Sequence, residues 1–364
     1  MRVILTGGGT GGHLYPGLSI LEALEKKIEC DTLFVGTKQG IENQVIPQRN
    51  IPLKRVWMSG LHRGRLISNL LFPLKMIVSL FQSLDLIMQF QPDVVVGTGG
   101  YVSWPVMSAA ILLGKKTVIQ EQNRKPGLVT RLLAPWVDSV HLSFESSKDC
   151  FRKQKNLVVS GNPTRDGLEM RDNKKAYQTF NLDPKKTTLF IFGGSQGARA
   201  INQIVCESLD SIFEIKNVQI LWSTGPRWID FVIQRSEQYK DRICILPYID
   251  NMGEAYAISD LVVCRSGAST IAELTRLGVP ALFIPFPAAA GGHQVENAKD
   301  MAQNGAAEMI LQKDLSTDRF VPKVSEIISD QQRLLTMAKK SKRLGKPSAA
   351  YAIAKDILLK VNLN

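Results

Sequence analysis

Short runs of consecutive apolar residues alternate along the chain with longer stretches of helical periodicity. The runs are apolar throughout, which is typical of parallel strands buried on both faces of a sheet. The helical stretches between them predict right-handed βαβ units in doubly wound α/β sheets. The predicted strands are 2–5, 32–36, 54–57, 94–99, 117–121, 139–144 and 157–161, then 188–194, 219–225, 243–249, 261–267 and 281–286.

The strand–glycine–helix pattern of the N-terminus begins a second time, which predicts two domains. A polar segment at 169–186 follows the first series of strands, and TLFIFGGSQGARAIN at 188–202 then repeats the opening theme. We predict Rossmann-like domains at 1–163 and 164–346, with a C-terminal helix at 347–364 that packs back on the first. Ligands of such domains collect at strand carboxyl ends and domain junctions, so the cleft between the two is the predicted ligand site.

Composition and charge narrow the class of protein. Apolar residues make up 44% of the 364 residues and charged residues 21%, which is a globular composition. The net charge of +12 admits nucleic acid, an anionic membrane or phosphorylated small molecules as partners. The sequence has no recognisable nucleic-acid module, so we expect no nucleic-acid partner.

Cysteine usage and the absence of targeting segments bear on the compartment. Five scattered cysteines without a CxxC fit a reducing cytoplasm. We find neither a signal peptide nor a membrane-spanning run.

The loop GGGTGGHLYPG, at 7–17, follows the first apolar run and formally matches the dinucleotide-binding fingerprint. That fingerprint also needs an acidic residue at the end of the second strand, and this strand ends in VGTK at 35–38. A nicotinamide-dependent oxidoreductase is therefore disfavoured. A P-loop NTPase is excluded, because no glycine loop carries the GK[ST] ending.

Metal chemistry is not indicated. The four histidines show no paired ligand spacing, and the chain has no Asp-x-Asp to hold a divalent ion on a diphosphate. We therefore predict no metal and no other cofactor. A bound diphosphate would be neutralised by backbone amides and helix N-termini instead.

The second domain carries a better candidate site for a sugar nucleotide. In CRSGASTIAEL, at 264–274, a buried strand ends and a helix starts near Ser269, with Glu273 about one turn in. A carboxylate there can accept two hydrogen bonds from a ribose diol, although a helix-start glutamate is also common for electrostatic reasons. The following loop, PAAAGGHQVEN, brings Gln294, Glu296 and Asn297, which suit sugar hydroxyls.

The segment Leu66–Phe90 is unusually apolar and is preceded by His62, Arg63 and Arg65. One interpretation is a buried helix pair of the first domain. The other is an exposed apolar face with a basic rim, lying on an anionic membrane. The residues alone favour the buried pair.

Taken in order, the motifs resemble a known family over nearly the whole chain. They are GGGTGGHLYPG, GTGGYVSWP, IQEQN, SGNPTR, GGSQGARAIN, CRSGASTIAEL, PALFIPFP and GGHQVENA. Together they are similar to the bacterial family 28 glycosyltransferases that add N-acetylglucosamine to undecaprenyl-diphospho-muramoyl-pentapeptide (lipid I), giving lipid II for peptidoglycan. Each glycine loop alone is a weak signal, whereas their combination is specific.

This resemblance implies a GT-B fold whose first domain holds the lipid-linked acceptor and whose second holds UDP-N-acetylglucosamine. The reaction would invert the anomeric centre, join the sugar to the muramoyl 4-hydroxyl and release UDP. It also implies a peripheral enzyme on the cytoplasmic face of the cell membrane, docked through Leu66–Phe90, with other wall-synthesis proteins as candidate partners. Other GT-B sugar-nucleotide enzymes, such as diacylglycerol glycosyltransferases or UDP-sugar epimerases, stay as alternatives, as does a non-catalytic scaffold.

Binding residues follow from the same resemblance. The donor positions are Thr10, Gly11, Gly12, Asn123, Arg165, Ser195, Ile249, Ala268, Ser269, Thr270, Ile271, Ala272, Glu273 and Gln294. The acceptor diphosphate is expected at Gly9, Thr98, Gly99, Gly100 and Tyr101.

The catalytic base is the least determined part of the prediction. An inverting transfer needs a group that takes the acceptor's proton, and an imidazole titrates near neutral pH, which favours His13. Glu121 is the fallback, and a third interpretation is that His13 only bridges the glycine loop. Gln120 departs from the family pattern, since many relatives have a histidine there, so no catalytic role is assigned to it.

Overall fold

Parallel β-sheets with intervening helices account for both halves of the chain. The computed structural model describes residues 1–60, 70–152, 155–165, 167–169 and 172–362. The chain divides into two units, Met1–Arg165 with Lys346–Asn364, and Asp166–Gly345. The second unit is thus continuous in sequence, whereas the first is completed by the C-terminal segment.

In its described part, the first unit contains a seven-stranded parallel sheet of order β3-β2-β1-β4-β5-β6-β7. Its strands are β1 (Arg2–Thr6), β2 (Asp31–Gly36), β3 (Leu53–Arg55), β4 (Val94–Gly97), β5 (Lys116–Glu121), β6 (Ser139–Leu142) and β7 (Leu157–Val159). Its helices are α1 (Gly11–Glu25), α2 (Glu42–Gln48), α3 (Phe72–Phe90), α4 (Ser103–Leu112) and α5 (Leu128–Leu133), and a 3₁₀ turn spans Glu145–Cys150.

The described residues of the second unit form a six-stranded parallel sheet of order β10-β9-β8-β11-β12-β13. The strands are β8 (Thr187–Phe192), β9 (Val218–Ser223), β10 (Ile243–Leu246), β11 (Leu261–Cys264), β12 (Ala281–Phe283) and β13 (Ala307–Met309). The helices are α6 (Asn173–Thr179), α7 (Arg199–Glu214), α8 (Ile229–Ser236), α9 (Met252–Ala257), α10 (Ala268–Leu277), α11 (His293–Gln303), α12 (Thr317–Ile328) and α13 (Gln331–Leu344), with 3₁₀ turns at Glu237–Arg242, Ala290–Gly292 and Gln312–Asp314.

The apolar runs are continuous because each strand supplies two cores. In β1, Val3 and Leu5 are buried with α1, while Ile4 between them is buried in the cluster on the other face of the sheet. Successive side chains of a strand point to opposite faces, so a strand covered on both sides needs apolar residues at every position. The predicted α/β class with two Rossmann-like sheets is confirmed.

The strand prediction was wrong in detail at the sheet edges. The structure adds β13, which pairs with β12 from Ala281↔Ala307 to Phe283↔Met309. The run predicted at 54–57 is a strand only over Leu53–Arg55, and the run at 243–249 is one only to Leu246. The residues left over in these two runs form loops at strand carboxyl ends.

The last helix, α14 (Ala349–Lys360), belongs to the first unit. Ile353, Ala354 and Ile357 are buried in the same core as α1 and β1. The buried ring of His141 on β6 lies 3.0 Å (Nε2 to Oδ2) from Asp356 of this helix, and the Ser139 hydroxyl donates to the same carboxylate over 2.7 Å. Apolar packing and a polar clamp together hold the C-terminus on the first sheet.

Helix α3 packs on the core along one face and exposes apolar residues on another. Ser79, Ser83 and Ile87, at successive helical turns, are buried. Leu74, Ile77, Phe81 and Met88 are exposed, Phe81 to 66%. The basic residues His62, Arg63 and Arg65 and the start of the predicted segment lie outside the described residues. Among the helices that are described, none is long and apolar enough to cross a membrane.

Candidate functional site

Both sheets reverse their strand order at one point, and the glycine loops lie at these two points. In the first unit β1 has β2 on one side and β4 on the other, and in the second β8 lies between β9 and β11. Helices leaving adjacent strands in opposite directions open a crevice at the strand carboxyl ends, where ligands of doubly wound sheets bind. The loops after β1, β4, β8 and β11 are therefore the candidate site regions.

The first glycine loop is glycine-rich because side chains from the loop after β4 and from the start of α2 occupy the space beside it. A Cβ on Gly7 would lie 2.0 Å from Oγ1 of Thr98, and one on Gly8 would lie 2.7 Å from Oε1 of Glu42. Gly9 has a φ of +83°, a left-handed conformation that glycine adopts without strain. Gly7 and Gly8 are thus buried against these side chains, and the backbone becomes exposed to a ligand at Gly9.

His13 lies in the first turn of α1, against the loop that follows β4. Its Nδ1 is 3.3 Å from the carbonyl oxygen of Gly8 and 3.3 Å from the Thr10 hydroxyl oxygen. A Cβ on Gly99 would approach the imidazole to 3.0 Å, so the ring fills the place of a side chain there. A carbonyl oxygen only accepts, so the bond to Gly8 requires the hydrogen on Nδ1, and the neutral ring then carries its lone pair on Nε2.

A chain of buried amides fixes the loop after β4. The Gln122 amide donates to the carbonyl of Thr98 over 2.7 Å and bonds to the side-chain oxygen of Gln120. The Gln120 amide in turn donates to Asn162 and Ser143, each over 3.2 Å. Gln120, which is fully buried, therefore supports the loop at Thr98 through hydrogen bonds that need no titratable group.

Glu121 is buried and its carboxylate accepts three hydrogen bonds. Oε1 accepts from the backbone N–H of Asn123 at 3.1 Å, and Oε2 from the N–H of Gly127 at 2.9 Å and the hydroxyl of Thr130 at 2.7 Å. These bonds hold the turn at Asn123 and the start of α5. Both oxygens of the carboxylate therefore have hydrogen-bond partners within the first unit.

In the second unit, a cavity of ≈ 620 Å³ lies at the carboxyl ends of β8 and β11. Two helices begin at its wall, α7 after Ala198 and α10 after Gly267. The first N–H groups of a helix have no partner within the helix and carry partial positive charge. The cavity thus offers two sets of anion-binding amides beside Gly193, Gly194 and Gly197, as a diphosphate requires.

Arg265 supplies a fixed positive charge in this cavity. Its guanidinium donates to the carbonyl of Ile284 over 2.8 Å and to Oε1 of Gln312 over 2.7 Å, and its Cζ lies 5.4 Å from the centre of the Phe286 ring. Burial lowers the pKa of Arg265 to about 10, so the side chain stays protonated at neutral pH. The second cation of the wall is Arg199, at the start of α7.

Two predicted donor residues are held in place by neighbouring groups. The hydroxyl of Tyr256 donates to Oε2 of Glu273 over 3.0 Å, and both side chains are buried. Gln294 accepts the N–H of Phe286 on its side-chain oxygen over 2.9 Å, while its own carbonyl accepts the Ser266 hydroxyl. The amide nitrogen of Gln294 is therefore the group that its side chain can offer to a sugar.

The predicted residues fall into two sets, one in each unit. Thr270 and Gln294 line the cavity of the second unit, together with the glycines after β8. Helix α10, at that cavity's edge, contains Ala268, Ser269, Ile271, Ala272 and Glu273. Ser195 lies in the exposed turn after β8, and Ile249 is buried in the loop that follows β10. The first unit holds Gly9, Thr10, Gly11, Gly12, His13, Thr98, Gly99, Gly100, Tyr101, Glu121, Asn123 and Arg165.

Several residues of the cavity were not predicted from the sequence. Arg265 lies within one of the family motifs, but the sequence predicts no role for it, nor for Arg199, Gln203, Phe286 and Gln312. An arginine directly after a buried strand is the signal that could have identified Arg265. Within the described ranges, no three histidine, cysteine, aspartate or glutamate side chains are grouped as a metal site would need.

Comparison with known proteins identifies the family. The glycosyltransferase family 28 N-terminal domain matches residues 3–142, and the family 28 C-terminal domain matches residues 188–355. Relatives from Chlorobium phaeobacteroides (42% identical, covering 98% of this chain and 99% of the relative) and Desulforamulus reducens (38%, 98% of each) align over 364 residues. Both are named UDP-N-acetylglucosamine–N-acetylmuramyl-(pentapeptide) pyrophosphoryl-undecaprenol N-acetylglucosamine transferase.

Solved structures agree with this assignment. The crystal structure of Acinetobacter baumannii MurG superposes with a TM-score of 0.82 at 27% identity, covering 98% of this chain and 99% of that one. Staphylococcus aureus MnaA, solved with UDP, gives 0.69 at 17% identity over 100% and 98%, a similarity of fold alone.

Two Rossmann-like units with glycine loops at their switch points, together with these matches, define a GT-B glycosyltransferase. The chain belongs to glycosyltransferase family 28, among the N-acetylglucosamine transferases with which it aligns over nearly its whole length. The family that the motifs predicted is confirmed.

Proposed function

We propose that this chain transfers N-acetylglucosamine from UDP-N-acetylglucosamine to undecaprenyl-diphospho-muramoyl-pentapeptide. The names of relatives at 38% and 42% identity state this reaction for those proteins. The observation that carries the proposal is the cavity of the second unit, because its groups match a sugar nucleotide. Arg265 and two helix N-termini suit the diphosphate, and Gln294 suits the sugar hydroxyls.

The chemical step moves one sugar and one proton. The 4-hydroxyl oxygen of the muramoyl sugar forms a bond to C1 of the donor sugar, the bond from C1 to the UDP oxygen breaks, and the configuration at C1 inverts. Negative charge grows on the leaving diphosphate, where backbone amides and the Arg265 guanidinium stabilise it without reorganising. One proton leaves the attacking hydroxyl and must be accepted.

His13 is the base in this proposal. The bond from Nδ1–H to the Gly8 carbonyl orients the ring and leaves the lone pair on Nε2, which takes the proton of the hydroxyl. The glycine loops around it, at Gly9 and at Thr98–Tyr101, would bind the acceptor diphosphate through their backbone amides. Thr10, Gly11, Gly12, Asn123 and Arg165 of the first unit are further proposed donor-binding residues.

Acceptor-dependent release of UDP tests the proposal. The full chain in detergent is incubated with UDP-N-acetylglucosamine and a lipid I analogue, and the product is identified by mass. We expect one disaccharide-lipid for each UDP released. Release that requires diacylglycerol instead of the lipid I analogue, or formation of an epimerised UDP-sugar without any acceptor, would replace this function with one of the alternatives.

The lipid-linked acceptor requires the enzyme to work at a membrane surface, and we propose peripheral binding at the cytoplasmic face. Exposed Leu74, Ile77 and Phe81 on α3 support this, because an exposed apolar helix face suits a bilayer surface, and the net charge of +12 suits an anionic one. Phe81→Ser should weaken binding to anionic vesicles, whereas Leu359→Ser, at an equally apolar exposed site on α14, should not. Equal losses in both variants would contradict this docking face.

A further inference from the structure

A separate cavity of ≈ 350 Å³ opens at the carboxyl ends of β2 and β3 in the first unit. It is lined by Lys38, Arg55, Val56, Trp57 and Gln82. The volume corresponds to roughly a dozen water molecules at about 30 Å³ each. That space accommodates the end of a peptide but not a folded segment of a partner protein.

The walls of this cavity are fixed by hydrogen bonds from three elements. The N–H of Trp57 donates to Oε1 of Gln82 on α3 over 2.8 Å, and the N–H of Val56 donates to the carbonyl of Gly36 over 3.0 Å. Nε of Arg55 donates to Oδ1 of Asn43 on α2 over 2.8 Å. The indole of Trp57, 40% exposed, presents an apolar surface in a cavity that Arg55 also lines.

Two cations line the cavity and a third lies near the indole, and their charge is not neutralised locally. Lys38 and Arg55 line the cavity, and Nζ of Lys75 lies 5.9 Å from the centre of the Trp57 ring. Over the part of the chain that the structure describes, none of the three forms an ion pair with a carboxylate. The Arg55 side chain is anchored through Nε by a neutral amide, which leaves its two terminal nitrogens in the geometry that binds a carboxylate in bidentate fashion.

The cavity lies within reach of the loops proposed to hold the acceptor. In the order β3-β2-β1-β4, the end of β3 is two strand spacings, about 10 Å, from the glycine loop after β1. The chain leaving Trp57 also meets the acceptor loop, because a Cβ on Gly60 would lie 3.1 Å from the Tyr101 ring. An extended chain of five residues spans at most ~17 Å, so it can bridge this distance.

We propose that this cavity binds the C-terminal carboxylate of the acceptor's peptide, an inference that rests on the function proposed above. A pentapeptide joined to the muramoyl group through its N-terminus ends in a carboxylate. Arg55 and Lys38 pair with that carboxylate, and the Trp57 indole packs on the terminal side chains. The subsite selects acceptors that carry a full-length, negatively charged peptide.

Steady-state kinetics in detergent test the subsite with two acceptors, the lipid I analogue and the same compound with a C-terminal carboxamide. For Arg55→Gln and Lys38→Gln we expect the acceptor KM to rise about tenfold, because a hydrogen bond to a charged group is lost. The KM for UDP-N-acetylglucosamine and kcat should stay unchanged. With the carboxamide, the unmodified enzyme should show the same raised KM, and the two variants should add nothing further.

Lys54→Gln is the matched control, since Lys54 is an exposed neighbour on β3 whose side chain points to the opposite face of the sheet. It removes the same charge and should leave both KM values unchanged.

The proposal is overturned if the increases in acceptor KM caused by the carboxamide and by Arg55→Gln multiply when the two changes are combined. The carboxylate and the Arg55 guanidinium would then act independently. An Arg55→Gln variant with normal acceptor KM but weaker binding to anionic vesicles would assign the cavity to a lipid headgroup. If the unmodified enzyme releases no UDP with either acceptor, it is the proposed function that fails.

Discussion

The carboxylate of Glu42 accepts a hydrogen bond from the backbone N–H of Gly9 over 3.0 Å, although 33 residues separate them. Its other oxygen accepts from the N–H of Thr37 at 3.3 Å and from the Thr37 hydroxyl at 3.2 Å. The side chain is fully buried. One carboxylate therefore joins the loop after β1 to the loop after β2 and sets the shape of the proposed acceptor site.

Replacing Glu42 by Gln should damage the acceptor site through the loop after β1. A glutamine keeps one accepting oxygen and directs an N–H₂ group at a backbone donor, which costs about 1–3 kcal/mol. We expect a lower melting temperature and a higher acceptor KM. Glu29→Gln, an exposed site in the same unit, is the control for loss of charge. A lower melting temperature with an unchanged acceptor KM would show that Glu42 serves the fold and not this loop.

Glu273→Ala should raise the KM for UDP-N-acetylglucosamine about tenfold or more, because two hydrogen bonds from the ribose to a charged group are lost. Tyr256→Phe removes only the hydroxyl that orients this carboxylate, so a rise of roughly threefold to tenfold is expected. Both variants should leave the acceptor KM unchanged. Calorimetric titration with UDP measures the same loss without catalysis, and an unaltered donor KM in Glu273→Ala would remove the ribose assignment.

His13→Ala should reduce kcat by about 10²- to 10⁴-fold, the usual contribution of a general base. In the unmodified enzyme kcat should fall at acidic pH, because protonation of the imidazole removes the lone pair that accepts the proton. This fall of kcat at acidic pH, the acidic limb of the pH–rate profile, should be absent from the residual activity of the variant. Near-full turnover in His13→Ala would leave His13 with only the bridging role.

Glu121→Gln separates the two candidate bases. Its carboxylate positions Asn123 and the start of α5, so we expect lower stability but an acidic limb at the same pH as in the unmodified enzyme. Loss of that limb in Glu121→Gln, with His13 intact, would transfer the catalytic role to Glu121.

Stability at low pH should depend on Asp356. Burial alone would raise the pKa of this carboxyl, but hydrogen bonds from His141 and Ser139 and the charges of His141 and Lys360 hold the pKa below its ordinary value. A depressed pKa in the folded state adds stability above the pKa of the unfolded chain, and this stability is lost as the pH falls through the folded value. Asp356→Asn should therefore lower the melting temperature at pH 7, and the difference should shrink below about pH 4. A difference independent of pH would contradict this explanation.

Chelation should leave the reaction unchanged. The proposed diphosphate site uses helix N-termini and Arg265 in place of a divalent ion. We expect the same kcat with excess EDTA as with added Mg²⁺, measured by acceptor-dependent UDP release. A strict requirement for the metal would show that ions neutralise the leaving group and that these amides do not suffice.

The parallel sheets and the position of each glycine loop could be predicted because they depend on local sequence. Continuous apolar runs identify buried parallel strands, and glycine after such a run marks a close approach of the backbone. Strand β13 could not be recognised in this way. It is only three residues long, contains Glu308, and exists because β12 offers it an edge.

The supporting residues of the site could not be predicted, since their roles arise from tertiary contacts. Glu42 looks like an ordinary glutamate at a helix start until the loop after β2 is placed beside the loop after β1. Arg265 acquires its fixed orientation from Ile284 and Gln312, which are 19 and 47 residues away. The cavity at Lys38 and Arg55 likewise exists only because β3 lies next to β2.

The helix that completes the first core follows the whole second unit along the chain. Ile353, Ala354 and Ile357 reach their places beside α1 only after the entire second unit has left the ribosome. Domains usually fold in the order of their synthesis. Here that order is reversed: the continuous second unit can fold as it emerges, whereas the N-terminal unit keeps an incomplete apolar surface until α14 has been made.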